Sequence, residues 1–383
     1  MSVTIPKRLR SLKVALAHDY LREYGGAERV LEALHELFPD APVYVAFTDS
    51  VVAGGHWQRF ADWDIRESWL TRIPFYKQLF SPLRVWAPEY FSRFDLTDYD
   101  LVISSSNAYF AKAVRVPNGV HVCYCHTPAR SLYGYTTMTD WQHNPVTRLF
   151  GTIINHYLRV RDFHIAQVVN DFIANSQETA RRIQKFYRRT SVVIYPPVDV
   201  PADPPVIPLS KRQYYLSVCR IAKSKHVDLT VQLATELNLP LKVVGVGKGL
   251  AYLQSIAGPT VEFLGEVTDA QLHELYAGAR ALFFPAEDED FGIVPVEAMG
   301  HGVPVIAHRS GGPLESVIEG KTGIFFDDFT IESLGNAYQK ISKMNLNIKA
   351  IHSHALEFSK QHFQEVILRY LAEVVSATRK TQN

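Results

Sequence analysis

Six short apolar runs in the second half of the chain, at 214–219, 241–246, 261–264, 281–284, 304–307 and 323–326, are separated by segments with helical patterning. A run that is short and apolar at nearly every position fits a strand covered on both faces, and strands alternating with helices form a parallel sheet. The first half shows the same alternation. Val14 to Ala17, Val43 to Phe47, Leu101 to Ser106, Val120 to Cys125 and Phe172 to Ala174 read as strands, and 146–169 reads as a helix. Between the halves, Pro196 to Pro208 holds six prolines and almost no hydrophobic periodicity, the composition of an extended connector. At 383 residues the chain is too long for one core. The expectation is an α/β protein with domains at 1–198 and 199–362, and a final helix at 363–383 placed to cross back to the first. Ligands of such sheets bind at the carboxyl ends of the strands.

Charge excludes one class of partner. The formal net charge is +1. Residues 1–199 carry 23 Lys and Arg against 19 Asp and Glu, and residues 200–383 carry 17 against 20, so neither half is a nucleic-acid footprint. Three cysteines, Cys123, Cys125 and Cys219, supply no CxxC pair and no disulfide framework, which suits a reducing cytoplasm. The basic N-terminus lacks the apolar centre of a signal peptide, and no window approaches the ~20 apolar residues that span a bilayer. Residues 66–94 interleave Trp69, Leu70, Ile73, Phe75, Leu79 and Trp86 with Arg66, Arg72, Lys77 and Arg84. That mixture suits a helix lying at a membrane surface, an acceptor-binding wall, or a helical pair packed on the core.

The residues with chemistry cluster where strands should end. His18 ends the first strand, and Gly25-Gly26-Ala27-Glu28 opens a helix behind it, an anion-binding arrangement or simply a tight turn. His126 follows the Val120–Cys125 run and leads into Thr127-Pro128-Ala129-Arg130. Arg220 and Lys225 follow the first strand of the second half and offer a planar fork and a point charge to a diphosphate. Gly245-Val246-Gly247-Lys248-Gly249 has the wrong spacing for a dinucleotide fingerprint. Asp288-Glu289-Asp290 has the composition of a divalent-ion site, yet it sits beside a helix start with two cations already assigned to phosphate, so no metal is expected. Glu289 and Glu297 bracket the helix start Phe291-Gly292-Ile293-Val294, where both carboxylates could accept hydrogen bonds from a polyol.

Together these motifs resemble the retaining glycosyltransferases of family 4. The resemblance rests on Gly25-Gly26-Ala27-Glu28, Arg220 with Lys225, Gly265-Glu266-Val267, Glu289 and Glu297 around Phe291-Gly292, and Gly311-Gly312-Pro313 with Glu315. The segment around Tyr124 to Arg130 looks like the branch that includes bacterial O-antigen mannosyltransferases. The resemblance implies a GT-B fold, two Rossmann-like domains facing across a cleft, with acceptor-binding and nucleotide-sugar-binding roles. It implies that Arg220 and Lys225 hold the donor diphosphate, that Gly25 and Gly26 approach it, and that Glu297 accepts from the ribose. Glu289 and the amides from Phe291 to Val294 would hold the transferred sugar, Glu266 and Val267 would lie near the nucleobase, and His126 by the anomeric carbon. His18 and Arg130 are candidates on the acceptor side. Asp290 departs from the family, in which many members have Gly before Phe-Gly.

The implied activity is metal-free transfer of a hexose, mannose from GDP-mannose, to a glycan or lipid-linked acceptor in polysaccharide or lipopolysaccharide synthesis, in the cytoplasm with contact to the membrane's inner face. A UDP-hexose donor, or a catalytically silent nucleotide-sugar-binding protein, are the alternatives.

Overall fold

The computed structural model describes residues 4–135, 145–203 and 206–382. The chain divides into two compact units, Met1–Pro197 with Phe363–Asn383, and Val198–His362.

The first unit is built on a seven-stranded parallel sheet: β1 (Val14–His18), β2 (Val43–Val45), β3 (Ile65–Glu67), β4 (Leu101–Ser106), β5 (Val120–Cys125), β6 (Asp171–Ala174) and β7 (Val192–Val193). Their order across the sheet is β3-β2-β1-β4-β5-β6-β7. Strands β1, β4 and β5 are buried at every position, as apolar runs covered on both faces must be. Helix α1 (Gly26–Leu37) buries Val30, Leu31, Leu34 and Leu37, one face at helical spacing. Helix α2 (Pro145–Val168) and helix α3 (Gln177–Tyr187) follow β5 and β6, and Ser176 caps α3 by accepting from the Thr179 amide.

The second unit is a six-stranded parallel sheet: β8 (Tyr214–Val218), β9 (Leu241–Val244), β10 (Val261–Gly265), β11 (Ala279–Phe284), β12 (Val305–His308) and β13 (Gly323–Phe326), in the order β10-β9-β8-β11-β12-β13. Helices α4 (Val227–Glu236), α5 (Asp269–Gly278), α6 (Ile293–Gly300) and α7 (Ile331–Ser342) connect its strands. The last helix, α8 (Lys360–Gln382), belongs to the first unit from Phe363 onward, where Phe363, Ile367, Leu368 and Leu371 join Leu16, Leu34 and Ile103 in one core. Each such side chain contributes about 1.5–3 kcal/mol on burial, so the end of the chain is integral to the fold of its beginning.

The stretch 66–94 differs from a simple interleaved helix. Its first residues belong to the edge strand β3, and helical turns follow. Leu70, Ala87, Tyr90 and Phe91 are buried in the first unit's core, with Trp69, Ile73, Tyr76, Phe80 and Leu83 packed against it. Phe75, Leu79 and Trp86 remain exposed. The alternation is irregular because strand, single turns and short helices each bury a different period.

Candidate functional site

In both sheets the strand order reverses beside the first strand of the unit. The carboxyl ends of β8 and β11 flank that switch point in the second unit, and those of β1 and β4 flank it in the first. Connections leave a switch point in opposite directions and open a crevice there.

At the second unit's switch point, β8 leads into Arg220 and a single turn over Lys223–Lys225, and β11 leads into the acidic loop. Lys225 Nζ donates to Glu289 Oε1. Both side chains are only about one-fifth exposed, so each carries its charge in a setting poorer in water than the surface. Arg220 stands exposed just beyond β8. Backbone contacts fix the loop: the Glu287 amide donates to Ser224 O at 2.9 Å and the Gly312 amide to Glu289 O at 2.8 Å. Gly311 has φ +62°, and a Cβ there would lie 2.3 Å from Glu289 O; a Cβ on Gly312 would lie 2.2 Å from Phe291 Cα. The Gly-Gly pair therefore lets one loop back onto the backbone that carries Glu289. On the far side, the Phe329 ring is held between His226, at 4.0 Å, and His308, at 3.9 Å.

Helix α6 begins after Gly292, at φ +83°. Its free amides are fewer than a generic helix start offers, because Pro295 has none, leaving those of Ile293 and Val294 in the first turn. Phe291 and Gly292 are buried, and Ile293 and Val294 half-buried.

Glu297 does not stand open beside Glu289. It is buried on α6, and Tyr276 of α5 donates its hydroxyl to Glu297 Oε2 at 2.9 Å. Behind it, His301 Nδ1 donates to Glu297 O at 2.8 Å, so Nε2 accepts from His273 Nδ1 at 3.0 Å. Burial holds the His301 pKa below its usual value, in keeping with a neutral ring that accepts on one side. Nothing near Glu297 in sequence signals Tyr276 or His273; only packing of α5 against α6 brings them there.

The first unit's switch point holds a buried polar chain. His126, one residue past β5, is 7% exposed and places Nε2 2.8 Å from Ser105 Oγ. The same hydroxyl lies 3.0 Å from His18 Nδ1, and His18 Nε2 faces Glu28 Oε1 at 3.4 Å. Glu28 Oε2 accepts the Gly25 amide at 2.8 Å. Burial alone would raise the Glu28 carboxyl, but the hydrogen bond and charge of His18 and the backbone amides hold it below its usual range. Burial pushes the His126 pKa down to about 3, with His18 adding to the effect, so His126 is neutral at any working pH. A carboxylate only accepts, so His18 donates its Nε2–H to Glu28, and the Ser105 hydroxyl bridges His18 Nδ1 and His126 Nε2. Thr179 anchors this corner by donating to His126 O at 3.1 Å, and Arg182 by donating to Thr127 Oγ1 at 3.1 Å. Ser105 and Glu28 were visible as a polar residue in an apolar strand and as the last residue of Gly-Gly-Ala-Glu, but their partnership depends on β1 and β4 being neighbours.

Other residues singled out in the sequence lie apart from these clusters. Glu266 is exposed and Val267 half-buried after β10, at the sheet's edge. Arg130 is half-buried, 6.0 Å over the Tyr135 ring. The Gly-Val-Gly run serves packing: a Cβ on Gly245 would lie 1.9 Å from Cys219 O, and one on Gly247 2.0 Å from Ile221 O. Among the described residues no three His, Cys, Asp or Glu side chains are grouped to hold a metal ion.

Residues 200–357 match the family model for glycosyl transferases group 1, and residues 24–201 match that for Glycosyltransferase Family 4. Among curated proteins, a GDP-mannose-dependent alpha-mannosyltransferase of Mycolicibacterium smegmatis is 40% identical over 110 residues, covering 29% of this chain and 29% of that protein. The alpha-1,3/1,6-mannosyltransferase ALG2 of Homo sapiens is 25% identical over 242 residues, covering 53% of this chain and 58% of that protein. Each matched stretch spans less than two thirds of the relative's own length. Among solved structures, a sucrose-phosphate synthase from Thermosynechococcus elongatus aligns with a TM-score of 0.70 at 19% identity, over 95% of this chain and 99% of that one. Anabaena Alr3699/HepE in complex with UDP and glucose aligns with a TM-score of 0.64 at 20% identity, over 94% and 99%. At these identities the likeness is one of fold.

Proposed function

The chain belongs to glycosyltransferase family 4 and has the GT-B fold, and on that premise we propose that it is a retaining hexosyltransferase that moves mannose from GDP-mannose to a glycan or lipid-linked acceptor. The observation that carries this reading is the meeting of Lys225 and Glu289 at the second unit's switch point, where Arg220 follows β8. Without donor, the cation and the carboxylate satisfy each other. A donor diphosphate offers Lys225 and Arg220 a stronger partner, and the released Glu289 accepts from the hydroxyls of the sugar. The ion pair thus holds a binding site open at small cost, because partners are exchanged rather than desolvated afresh. The GDP-mannose dependence of relatives such as the Mycolicibacterium protein supports the choice of donor.

The chemistry follows from charge. As the glycosidic bond breaks, the leaving nucleoside diphosphate gains negative charge. Arg220, Lys225 and the Ile293 and Val294 amides stabilise it, each cation supplying on the order of 2–4 kcal/mol of transition-state stabilisation. With two cations in that role the reaction is expected to run without a metal. Glu297, oriented by Tyr276, accepts from the ribose, with Glu266 and Val267 toward the nucleobase and Gly25 and Gly26 toward the phosphate. Retention follows from attack on the face the diphosphate leaves, a donor phosphate oxygen taking the acceptor's proton. His126 presents a neutral ring by the anomeric carbon, with His18 and Arg130 on the acceptor side. The reaction belongs to the cytoplasm, at the membrane's inner face when the acceptor is lipid-linked.

A thermal-shift panel of GDP-mannose, UDP-glucose, GDP and UDP, followed by turnover, tests this. Only a ligand that binds the folded state raises Tm. GDP-mannose is expected to raise it and to be consumed, giving an α-linked product by NMR. A rise with UDP-glucose alone would replace the donor, and a rise without turnover would make the protein a nucleotide-sugar binder. Chelator is expected to leave the rate unchanged; complete loss would overturn the metal-free account.

A further inference from the structure

We propose that Arg22 and Arg84 form a second anion-binding site, within the first unit, that takes a phosphate or diphosphate group. Tyr20, Leu21 and Arg22 continue the chain past β1, and a parallel bridge from Leu21 to Thr48 holds them at the carboxyl end of the sheet. The Arg22 guanidinium lies 4.4 Å over the Phe80 ring. Phe80 belongs to the helix Tyr76–Leu83, and the turn Arg84–Trp86 continues that helix. Residues four apart on helical backbone share a face, and side chains lean toward the helix start, so Arg84 leans over Phe80. Phe80 in turn stacks on Tyr109 at 6.2 Å, and Tyr109 meets Tyr20 edge-on at 5.2 Å. Two half-buried cations thus converge on one aromatic cluster, at the end of the sheet that carries His18, Ser105 and His126.

Neither cation has a counter-charge. Arg22 Nη1 is buried, and no group among the described residues accepts from it. Burial holds the Arg84 pKa below its usual value. Its ionisable neighbours are the phenols of Tyr109 and Tyr20, and among the described residues no carboxylate pairs with it. Burial raises the pKa of both phenols, so they stay neutral. The nearby acids are committed elsewhere. Asp19 accepts the amides of Asn107 at 3.0 Å, Tyr109 at 2.8 Å and Ala111 at 2.9 Å. Asp49 faces Lys77 at 3.4 Å, and Glu23 accepts the Tyr20 hydroxyl at 3.4 Å. A guanidinium withdrawn from water without a partner is costly, and an anion that supplies the partner relieves that cost. One guanidinium fork satisfies a carboxylate; two match the larger charge and additional oxygens of a phosphate. Arg220 and Lys225 already provide for the donor diphosphate, so the anion here is a phosphate on the acceptor or free phosphate. Phe80 and Arg84 both come from the stretch 66–94, in keeping with an acceptor-binding wall. The assignment to an acceptor rests on the proposed transferase reading; the anion site itself does not.

The test is a thermal shift of the full chain saturated with GDP, which fills the donor diphosphate site, titrated at constant ionic strength with pyrophosphate or with acetate. Pyrophosphate is expected to raise Tm further and acetate to leave it unchanged. Arg22→Gln with Arg84→Gln is expected to weaken pyrophosphate at least about tenfold and to keep the GDP shift. Arg22→Lys, which keeps the charge and loses the fork, is expected to fall between. Absence of any GDP shift would sink the donor reading alone, because pyrophosphate can then be titrated on Lys225→Ala; a shift kept there and lost in the arginine variant would uphold this site. Initial rates on a glycan carried by an alkyl diphosphate, and on the same glycan carried as a neutral alkyl glycoside, name the source. A rise in KM confined to the diphosphate acceptor in the arginine variant assigns the site to the acceptor; pyrophosphate changing both rates equally assigns it to free phosphate. GDP-bound wild type that ignores pyrophosphate would overturn the proposal. So would a shift with acetate as large as with pyrophosphate, an undiminished pyrophosphate shift in the arginine variant, or loss of its GDP shift, which would place both arginines in the donor site.

Discussion

Two carboxylates at two switch points show how the same kind of group is used differently. Glu28 is buried, and its partners are His18 and the Gly25 amide, all within the first unit. Glu289 is about one-fifth exposed and its partner is the mobile end of a lysine. Exchanging Glu28's partners would require breaking a buried chain; exchanging Glu289's requires only moving an ammonium group. Glu28 is therefore set to orient a histidine, and Glu289 to change hands when a ligand arrives. Burial, more than residue type, decides which carboxylate positions and which one binds.

The sharpest way to break this comparison is at the exchangeable pair. Lys225→Ala is expected to lower kcat roughly thirtyfold to a thousandfold, from a loss of ~2–4 kcal/mol, with little change in Tm. Glu289→Gln, which keeps the shape and removes the charge, is expected to cost a similar or somewhat smaller factor in kcat. Wild-type turnover in Glu289→Gln would remove Glu289 from the sugar site. Steady-state kinetics beside a melting curve separate loss of chemistry from loss of fold.

Ser105→Ala tests the fixed chain. It unpartners both His126 Nε2 and His18 Nδ1, so a stability loss of about 1–3 kcal/mol is expected by chemical denaturation. Turnover should fall about tenfold as the His126 ring loses its anchor, a loss of general-acid–base scale or less. A variant that loses stability and keeps full turnover would reduce the chain to a structural role.

The smallest expected effect is in pH. The His126 pKa is depressed to about 3, so the unfolded chain takes up its proton first, and stability falls as pH drops from about 6.5 toward 3. Glu28 is depressed in the folded state, so its contribution is present above the ordinary carboxylate range and is lost as pH falls through the folded value. Acid denaturation of His126→Asn should show a smaller first loss, since buried His121 is likewise depressed to about 3 and keeps its own share, and should keep the second. Identical profiles for variant and wild type would mean that His126 is not held neutral.

Much of the architecture was legible because burial on both faces forces short, wholly apolar strands, and connecting them in parallel forces helices between. β3 does not read as a strand because an edge strand that is largely exposed need not be apolar; Ile65-Arg66-Glu67 carries two charges. The candidate residues were legible as types at strand ends. Their partners were not: Tyr276 reaches Glu297 across 21 positions, and Ser105 reaches His18 across 87. No local pattern encodes a hydrogen bond between side chains brought together by sheet order.

The sequence by itself determined that this chain forms parallel α/β sheets and that Lys225, Glu289 and His126 follow strands, because periodicity and burial are local consequences of residue type. The tertiary structure alone decided that Lys225 meets Glu289, that Glu297 is buried under Tyr276, that His126 is neutral with its orientation set by Ser105, and that Arg22 lies over Phe80. Those outcomes depend on strand order and on what packs above each residue. Both are set by the free energy of the whole fold rather than by any one segment.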